Sequence, residues 1–256
     1  MKKLAYAKIN LFLNVKSKRE DGFHELEMVN ITVGLADVLT LELTDKELVV
    51  ETSDPSLNGR NNLAFKAAEY LKKVFHIEKG VRIYIEKNIP AGGGLAGGSS
   101  DAAATIEALN ELWDLNLDDN QMFDICKNFG SDTPYCFYKG PAVVKGVGFD
   151  IEPIDLDITQ YEISLFSPKI NVSTGTVFSN LKNNNKYSLD DSIKKLTSND
   201  YDTFVEGLKN DLEETVFDLY PEVKKEYELL SRVYGNKGLF MTGSGSTIVR
   251  ISKKQS

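Results

Sequence analysis

The stretch KNIPAGGGLAGGSSDAAA, residues 87–104, decides the fold, because it places a glycine-rich loop directly ahead of a helix. Five of the seven positions from Gly92 to Gly98 are glycine, the residue that loses most conformational freedom on folding. The alternating VRIYIE before it predicts a strand, and the small residues after it predict a helix over 99–113. A strand, a bare loop and a helix start together make an anion site, since backbone N–H groups and the helix dipole point toward the loop.

The glycine loop therefore predicts that phosphate groups lie along the backbone, with no Cβ in the way. The hydroxyls of Ser99 and Ser100 suit either phosphate or Mg²⁺, and the alternative is a tight loop with one of these serines as a simple N-cap. The predicted phosphate-binding residues are Pro90, Ala91, Gly92, Gly93, Gly94, Leu95, Ala96, Gly97, Gly98, Ser99 and Ser100.

Three familiar phosphate loops do not fit this stretch. Gly92, Gly94 and Gly97 formally satisfy G-x-G-x-x-G, but a dinucleotide fold needs a second parallel strand after the helix, and 118–130 reads as another helix. A Walker loop needs lysine before the serine, where position 98 is glycine. The H-R-D catalytic loop of protein kinases is absent from the sequence.

Composition narrows the range of partners. The 256-residue chain is 41% hydrophobic and 27% charged, with a net charge of −8, which predicts a soluble globular protein that does not bind nucleic acid. No apolar run approaches the roughly 18 residues of a membrane span. Cys126 and Cys136 predict reduced thiols in the cytoplasm, and His24 and His76 are too few for a histidine-based metal site.

The order of elements predicts an α+β protein in two lobes, residues 1–152 and 153–256. Residues 4–15 alternate strictly, with one face apolar and Lys8, Asn10 and Asn14 on the other. The polar run 179–192 predicts a loop. Strands are expected at 27–34, 37–43, 47–51, 81–86, 141–146 and 161–167. Helices are expected at 119–129, 200–213 and 221–233, with a further helix starting at Asn61 or Asn62, and a strand pair is expected within 237–252.

Two further motifs stand apart from the loop. In GSDTP, Gly130 sits where a helix should end and Pro134 stiffens the next part of the chain, so Asp132 is held in a short turn. The alternative is that Ser131 and Asp132 only make turn hydrogen bonds. MTGSGS, residues 241–246, predicts either a hairpin turn or a second set of backbone donors. Lys8 taken alone is more readily explained as a solvent-facing lysine.

In this order, these motifs resemble those of the GHMP kinases, small-molecule kinases whose phosphate loop differs from a Walker loop. AYAKINLFLNV, DGFHELEMV, NNLAFKA and GGSSDAAA are similar to the members that phosphorylate the 2-hydroxyl of 4-diphosphocytidyl-2-C-methyl-D-erythritol, in the non-mevalonate route to isoprenoids. The resemblance implies a two-lobed fold with the active site in the cleft between lobes, and the use of ATP and Mg²⁺. It places Lys8 beside Asp132 at the acceptor hydroxyl, with Ser100 toward the metal.

The resemblance also implies a small-molecule substrate with a cytidine diphosphate group. Phe23 and His24 would recognise cytosine, Phe178 would supply a second stacking face, and Asn10 is a weaker candidate. Judged from the residues alone, it is equally plausible that Phe23 lies in the core and His24 on the surface, with no role in binding. Asp132 is either a general base or a residue that orients the hydroxyl.

Alternatives to this function are a mevalonate- or homoserine-type kinase and a non-catalytic nucleotide-binding protein. GFHEL disfavours the first, and Lys8 with Asp132 speaks against the second. GVGFD, residues 146–150, departs from the polar G-x-G and acidic residue that the family usually has there, so that loop has no assigned role.

Overall fold

A computed structural model describes residues 1–181 and 184–254. Part of the loop predicted at 179–192, namely residues 182 and 183, lies outside the described residues. The chain forms two compact units, each built from separate pieces. Unit 1 comprises Met1–Lys8, Thr32–Ala91 and Ala96–Lys139, and unit 2 comprises Ile9–Ile31, Gly92–Leu95 and Gly140–Ser256. These units are not consecutive segments, and the sequence boundary at 152/153 stays a prediction.

Two long strands explain why the units are discontinuous. β1 (Lys2–Lys18) and β2 (His24–Thr44) each run through pieces of both units. The strands predicted at 27–34 and 37–43 are confirmed as strand, but the break predicted between them is wrong, because β2 is continuous through Gly34.

β1 has the predicted alternation, but its polar side is buried as well. Lys8 is 4% exposed, and Asn10 and Asn14 are fully buried. The expectation of a solvent-facing Lys8 is therefore wrong. A buried ammonium and two buried amides need partners inside the protein.

Unit 1 packs helices on strands. The second half of β2 pairs antiparallel with β4 (Gly80–Glu86), and β3 (Leu48–Thr52) pairs parallel with β4. Apolar residues of these strands form one core with the helices, because every second side chain of β4 is buried. The helices are α1 (Leu63–Val74), α2 (Gly97–Leu112), α3 (Asp119–Cys126) and α4 (Thr133–Tyr138). Asn62 caps α1 as predicted, accepting the N–H of Ala64 at 2.8 Å.

In the part of unit 2 that the structure describes, the strands form two groups. The first half of β2 pairs with β5 (Ala142–Gly146), and β5 pairs with β6 (Asp150–Pro153). A second antiparallel group has β10 (Ile248–Lys253) between β7 (Tyr161–Phe166) and β9 (Leu239–Met241). The strand pair predicted within 237–252 is thereby confirmed. The helices of this unit are α5 (Thr174–Ser179), α6 (Leu189–Leu196), α7 (Tyr201–Glu206), α8 (Glu213–Leu219) and α9 (Pro221–Tyr234).

The helix predicted at 200–213 is confirmed over Tyr201–Glu206, and its second half is wrong. α7 ends at Glu206, and β8 (Lys209–Asn210) then pairs parallel with Phe12 and Leu13 of β1. The carboxylate of Asp211 accepts the N–H of Val15 at 2.9 Å. Tertiary pairing thus overrides a local helix tendency. Within the described part of the chain, no helix has the length and apolar character to cross a membrane.

Candidate active site

Lys8 and Asp132 are brought together in unit 1. The Nζ atom of Lys8 lies 3.3 Å from Oδ1 of Asp132, and the side chains are 6% and 37% exposed. An ammonium that is almost wholly buried needs a compensating charge, and Asp132 supplies one. Since Asp132 is the more open partner, a molecule from solvent reaches its carboxylate rather than the lysine.

The turn that carries Asp132 is held by other residues. The N–H of Thr133 donates to Gly130 O at 3.2 Å, and its hydroxyl donates to Phe129 O at 3.0 Å. Asp132 occupies the N-cap position of α4, yet its side chain makes no capping hydrogen bond. The side chain of Asp132 thus does not cap the helix, and its role at the site stays a prediction. Beside the ammonium of Lys8, this carboxylate can accept a proton or orient a hydroxyl.

The glycine loop leads into an uncapped helix start. α2 begins at Gly97, preceded by Ala96 in the left-handed conformation (φ 59°), and no side chain caps it. The N–H groups of the first turn have no acceptor inside the helix and lie at the positive end of its dipole. The N-cap alternative for Ser99 or Ser100 is wrong, because the helix starts before them. This arrangement suits an anion.

The side chain of Ser100 is buried, whereas a ligand of an open metal site would be exposed. It is 2% exposed, and its hydroxyl donates to the carbonyl of Tyr6 at 2.5 Å. Ser99, one residue earlier, is half-buried. The oxygen of Ser100 keeps lone pairs that can accept, and its role toward Mg²⁺ stays a prediction.

The MTGSGS motif is both a turn and a support for the loop. It connects β9 to β10, and the N–H of Thr247 donates to Gly93 O at 3.2 Å. Gly94 has φ +76°, and a Cβ there would lie 2.8 Å from Thr242 O and 2.9 Å from Gly245 O. Only glycine fits such a contact, so the glycines at this end of the loop serve backbone packing.

A buried ionic cluster next to the loop escaped the sequence analysis. Lys87 pairs with Asp37 and, at 2.6 Å, with Asp101. Oδ1 of Asp37 also accepts the N–H groups of Asn88 and Ile89, at 2.5 and 2.8 Å, which anchors the chain just ahead of the glycines. In the sequence, the only sign of this cluster was that Lys87 and Asp101 flank the glycine loop on its two sides.

Asp101 is the less satisfied carboxylate of this cluster. Its Oδ1 atom is buried without a hydrogen-bond partner. Burial raises the pKa of Asp101 to about 7, the charge of Asp37 acts in the same direction, and Lys87 opposes both. The cluster ties β2, the start of the loop and α2 together within unit 1.

His24 and Phe178, both in unit 2, stack on each other. Their ring centroids are 4.8 Å apart with planes inclined by 30°. Partial burial and the charge of Lys18 lower the pKa of His24, so its imidazole is neutral at pH 7 and offers one donor and one acceptor. Phe23 is 59% exposed, so its assignment to the core is wrong.

Asn10 is fully buried. Its amide nitrogen donates to Oδ1 of Asn30 at 2.6 Å and contacts Sδ of Met28 at 3.3 Å. Its side chain is thus involved in interactions inside unit 2, and its predicted substrate role stays a prediction. The loop 146–150 is the turn between β5 and β6, where the N–H of Gly148 donates to Lys145 O at 3.1 Å.

Comparison with known proteins decides the family. Residues 62–140 match the sequence model of the GHMP kinases N terminal domain, and residues 192–256 match that of the GHMP kinases C terminal. Proteins of Bacillus cereus and Bacillus anthracis named 4-diphosphocytidyl-2-C-methyl-D-erythritol kinase are 40% identical over 248 residues, covering 95% of this chain and 85% of theirs. The chain belongs to this family of GHMP kinases.

Solved structures confirm the GHMP kinase fold. A crystal structure of 4-(cytidine 5'-diphospho)-2C-methyl-D-erythritol kinase aligns with a TM-score of 0.79 and 33% identity, covering 97% of this chain and 89% of that one. The mevalonate kinase of Methanococcus jannaschii aligns with a TM-score of 0.71 at 18% identity, covering 100% of this chain and 90% of that one. The second match shows the fold alone, which is shared by kinases named for different acceptors.

Proposed function

We propose that this GHMP kinase transfers the γ-phosphoryl group of ATP to the 2-hydroxyl of 4-diphosphocytidyl-2-C-methyl-D-erythritol, a step of the non-mevalonate isoprenoid pathway. The pairing of the buried Lys8 with the more open Asp132, at 3.3 Å, is the observation that carries the chemistry. The relatives named for this activity, at 40% identity over nearly the whole chain, support the acceptor.

Asp132 and Lys8 act on the acceptor hydroxyl. Asp132 accepts the proton of the 2-hydroxyl while the bond from that oxygen to the γ-phosphorus forms and the bond to the β–γ bridging oxygen breaks. ADP then leaves with the bridging oxygen. Lys8 holds the carboxylate in place and offsets negative charge at the reacting centre, because its ammonium is buried and cannot turn to solvent.

The loop from Pro90 to Ser100 holds the ATP phosphates. The uncapped first turn of α2 supplies N–H donors, and phosphoryl transfer depends mainly on positioning and charge stabilisation. The Lys87 cluster and the Thr242–Ser246 turn hold the backbone of the loop in place. These contacts leave the donors of the first turn for the nucleotide.

Mg²⁺ fits this site as a companion of ATP. Among residues 1–181 and 184–254, no group of three or more carboxylate, histidine or cysteine side chains is placed so that it could hold a metal ion. Mg²⁺ usually binds through substrate phosphates and waters with one or two protein ligands. Ser100 is the proposed ligand. When bound, Mg²⁺ supplies charge neutralisation on the phosphates.

The cytosine is recognised by His24, Phe178 and Phe23. The neutral imidazole of His24 hydrogen-bonds the base edge, and aromatic faces stack on it. Asn10 contributes to substrate binding from its place on β1. The substrate is thus a small molecule, and neither nucleic acid nor membrane takes part. The buried, unpaired thiols of Cys126 and Cys136 suit a cytoplasmic enzyme.

The test is a phosphoryl-transfer assay followed by ³¹P NMR of the product. The protein is incubated with ATP, Mg²⁺ and the cytidine substrate, and in parallel with methylerythritol phosphate, mevalonate or homoserine. We expect phosphorylation of the cytidine substrate alone, and loss of activity with EDTA. Equal phosphorylation of mevalonate or homoserine would contradict the acceptor, and ATP binding without any transfer would favour a non-catalytic nucleotide-binding protein.

A further inference from the structure

The Thr242–Ser246 turn and the glycine loop touch through their backbones. A Cβ at Gly243 would lie 2.6 Å from Gly94 O, and one at Gly94 would lie 2.8 Å from Thr242 O. The N–H of Thr247 donates to Gly93 O at 3.2 Å. There is no room for adjustment between the segments, so the position of Gly93 and Gly94 depends on the position of the turn.

The side chain of Asn210 anchors this turn by hydrogen bonds to its backbone. Its Nδ2 atom donates to Met241 O at 2.8 Å and to Gly243 O at 2.9 Å, which are the carbonyls on either side of Thr242. Its Oδ1 atom accepts the N–H of Leu212 at 2.9 Å. The residue is 8% exposed, and both hydrogens and the oxygen of its amide are in use.

Only a primary amide offers this combination. A carboxylate of the same shape would turn an oxygen toward two carbonyl oxygens, and a hydroxyl carries one donor instead of two. Glu213, three positions later, accepts the N–H of Met241 at 2.8 Å. Met241 is therefore held at its carbonyl by Asn210 and at its N–H by Glu213.

We propose that Asn210 is a positioning residue for the phosphate-binding loop: its amide fixes the carbonyls of Met241 and Gly243, and the turn so fixed sets the place of Gly93 and Gly94. The inference rests on the proposed function in one respect, since it takes this loop to bind ATP. Asn210 itself contacts no substrate.

The experiment compares Asn210→Asp with Asn110→Asp. Asn110 is a matched control: its Nδ2 donates to Leu117 O at 3.1 Å and its Oδ1 accepts the N–H of Leu117 at 2.9 Å, at the far end of α2. For each variant, ATP affinity is measured by calorimetry, KM is measured for both substrates, and amide hydrogen exchange is monitored at Thr247.

We expect Asn210→Asp to weaken ATP binding at least tenfold, to leave the KM for the cytidine substrate within twofold, and to speed exchange at Thr247. Asn110→Asp should leave all three unchanged. If Asn210→Asp only lowers the melting temperature and binds ATP like the wild type, the residue is merely structural and the proposal is overturned.

Asn210→Ser serves if the aspartate variant does not fold. The hydroxyl retains one donor, so we expect a threefold to tenfold loss of ATP affinity and intermediate exchange at Thr247; wild-type affinity would overturn the proposal. A wild-type protein that binds ATP without phosphorylating the cytidine substrate would refute the proposed function, yet the affinity comparison would still test Asn210. The exchange measurement needs no nucleotide.

Discussion

At the scale of single residues, the important feature is a buried charge, the ammonium of Lys8. Lys8 sits among apolar residues on β1, and its partner Asp132 comes from a turn more than a hundred positions away. A lysine is rarely buried unless it is paired. Because buried ion pairs contribute little to stability, the proposed role at the acceptor hydroxyl gives this pair a reason that stability alone does not.

Asp132→Asn tests the proton acceptor. The amide keeps the shape but accepts a proton poorly and carries no charge, so we expect kcat to fall by about 10² to 10⁴ with substrate KM little changed. Steady-state kinetics measures both. Asp124→Asn is the matched control, because Asp124 is an exposed aspartate paired with Lys127 at 2.6 Å. A loss below tenfold for Asp132→Asn would return the residue to a structural role.

The pH dependence of substrate binding tests His24. Its pKa lies below the ordinary 6.5 because of partial burial and Lys18, so the imidazole is neutral above that value and becomes protonated as pH falls through the lowered pKa. Protonation removes its acceptor. We expect the KM for the cytidine substrate to be flat from pH 7 to 8 and to rise below about 6.5.

His24→Asn is the control for this titration. Asparagine offers a donor and an acceptor without ionising, so the variant should bind the substrate more weakly but with no rise in KM at low pH. If wild type and variant show the same pH dependence, another group is titrating.

At the scale of elements, the loop between β4 and α2 is shaped by contacts on both of its ends. At the β4 end, Asp37 accepts two backbone N–H groups and Lys87 bridges to α2. Gly93 and Gly94 touch the Thr242–Ser246 turn. Gly97 packs inward, because a Cβ there would lie 3.0 Å from Cγ2 of Ile89.

Gly94→Ala tests the loop without changing any functional group. The φ of +76° and the 2.8 Å approach to Thr242 O leave no place for a methyl group, so the loop must shift. We expect the KM for ATP to rise at least tenfold, by steady-state kinetics, with a smaller effect on the cytidine substrate. Gly34→Ala is the control, since a Cβ at Gly34 on β2 meets nothing within 4 Å. Equal effects of the two substitutions would contradict the assignment of this loop.

At the scale of the whole molecule, nucleotide binding should stabilise the fold. A ligand at 100 times its Kd adds about 2.7 kcal/mol to the free energy of unfolding, which raises Tm by about 5–10 °C for a chain of this size. We expect differential scanning fluorimetry to show this shift with ATP and Mg²⁺. The shift should be smaller when ATP is added with EDTA instead of Mg²⁺. Asp132→Asn should keep the shift and Gly94→Ala should lose most of it. An unchanged Tm for the wild type at saturating ATP would contradict nucleotide binding.

The shared fold does not choose the acceptor. Mevalonate and homoserine kinases align over nearly the whole chain at 18% and 17% identity, so the acceptor must be read from individual side chains. The match at 33% identity to a structure with the cytidine substrate in its name agrees with the resemblance found in the sequence.

The sequence by itself determined the features that local physics controls. The Asn62 cap, the alternation of β1, the antiparallel β9 and β10, and the glycine loop ahead of α2 are all set by neighbouring residues. The motifs also led to the family, because several short patterns in a consistent order are specific even when each one is weak.

Only the tertiary structure decided which distant residues meet. Lys87 with Asp37, and Asn210 with the Thr242–Ser246 turn, join segments separated by about 30 residues or more. The resemblance had implied that Lys8 lies beside Asp132 and that His24 and Phe178 share a site, but the contacts and distances of these pairs come from the structure. Strand register and backbone packing set these contacts, and no local pattern encodes them. The same reason explains the errors: pairing with β1 made a strand of 209–210 where a helix was expected, and packing on both faces of β1 buried a lysine that alternation alone had placed in solvent.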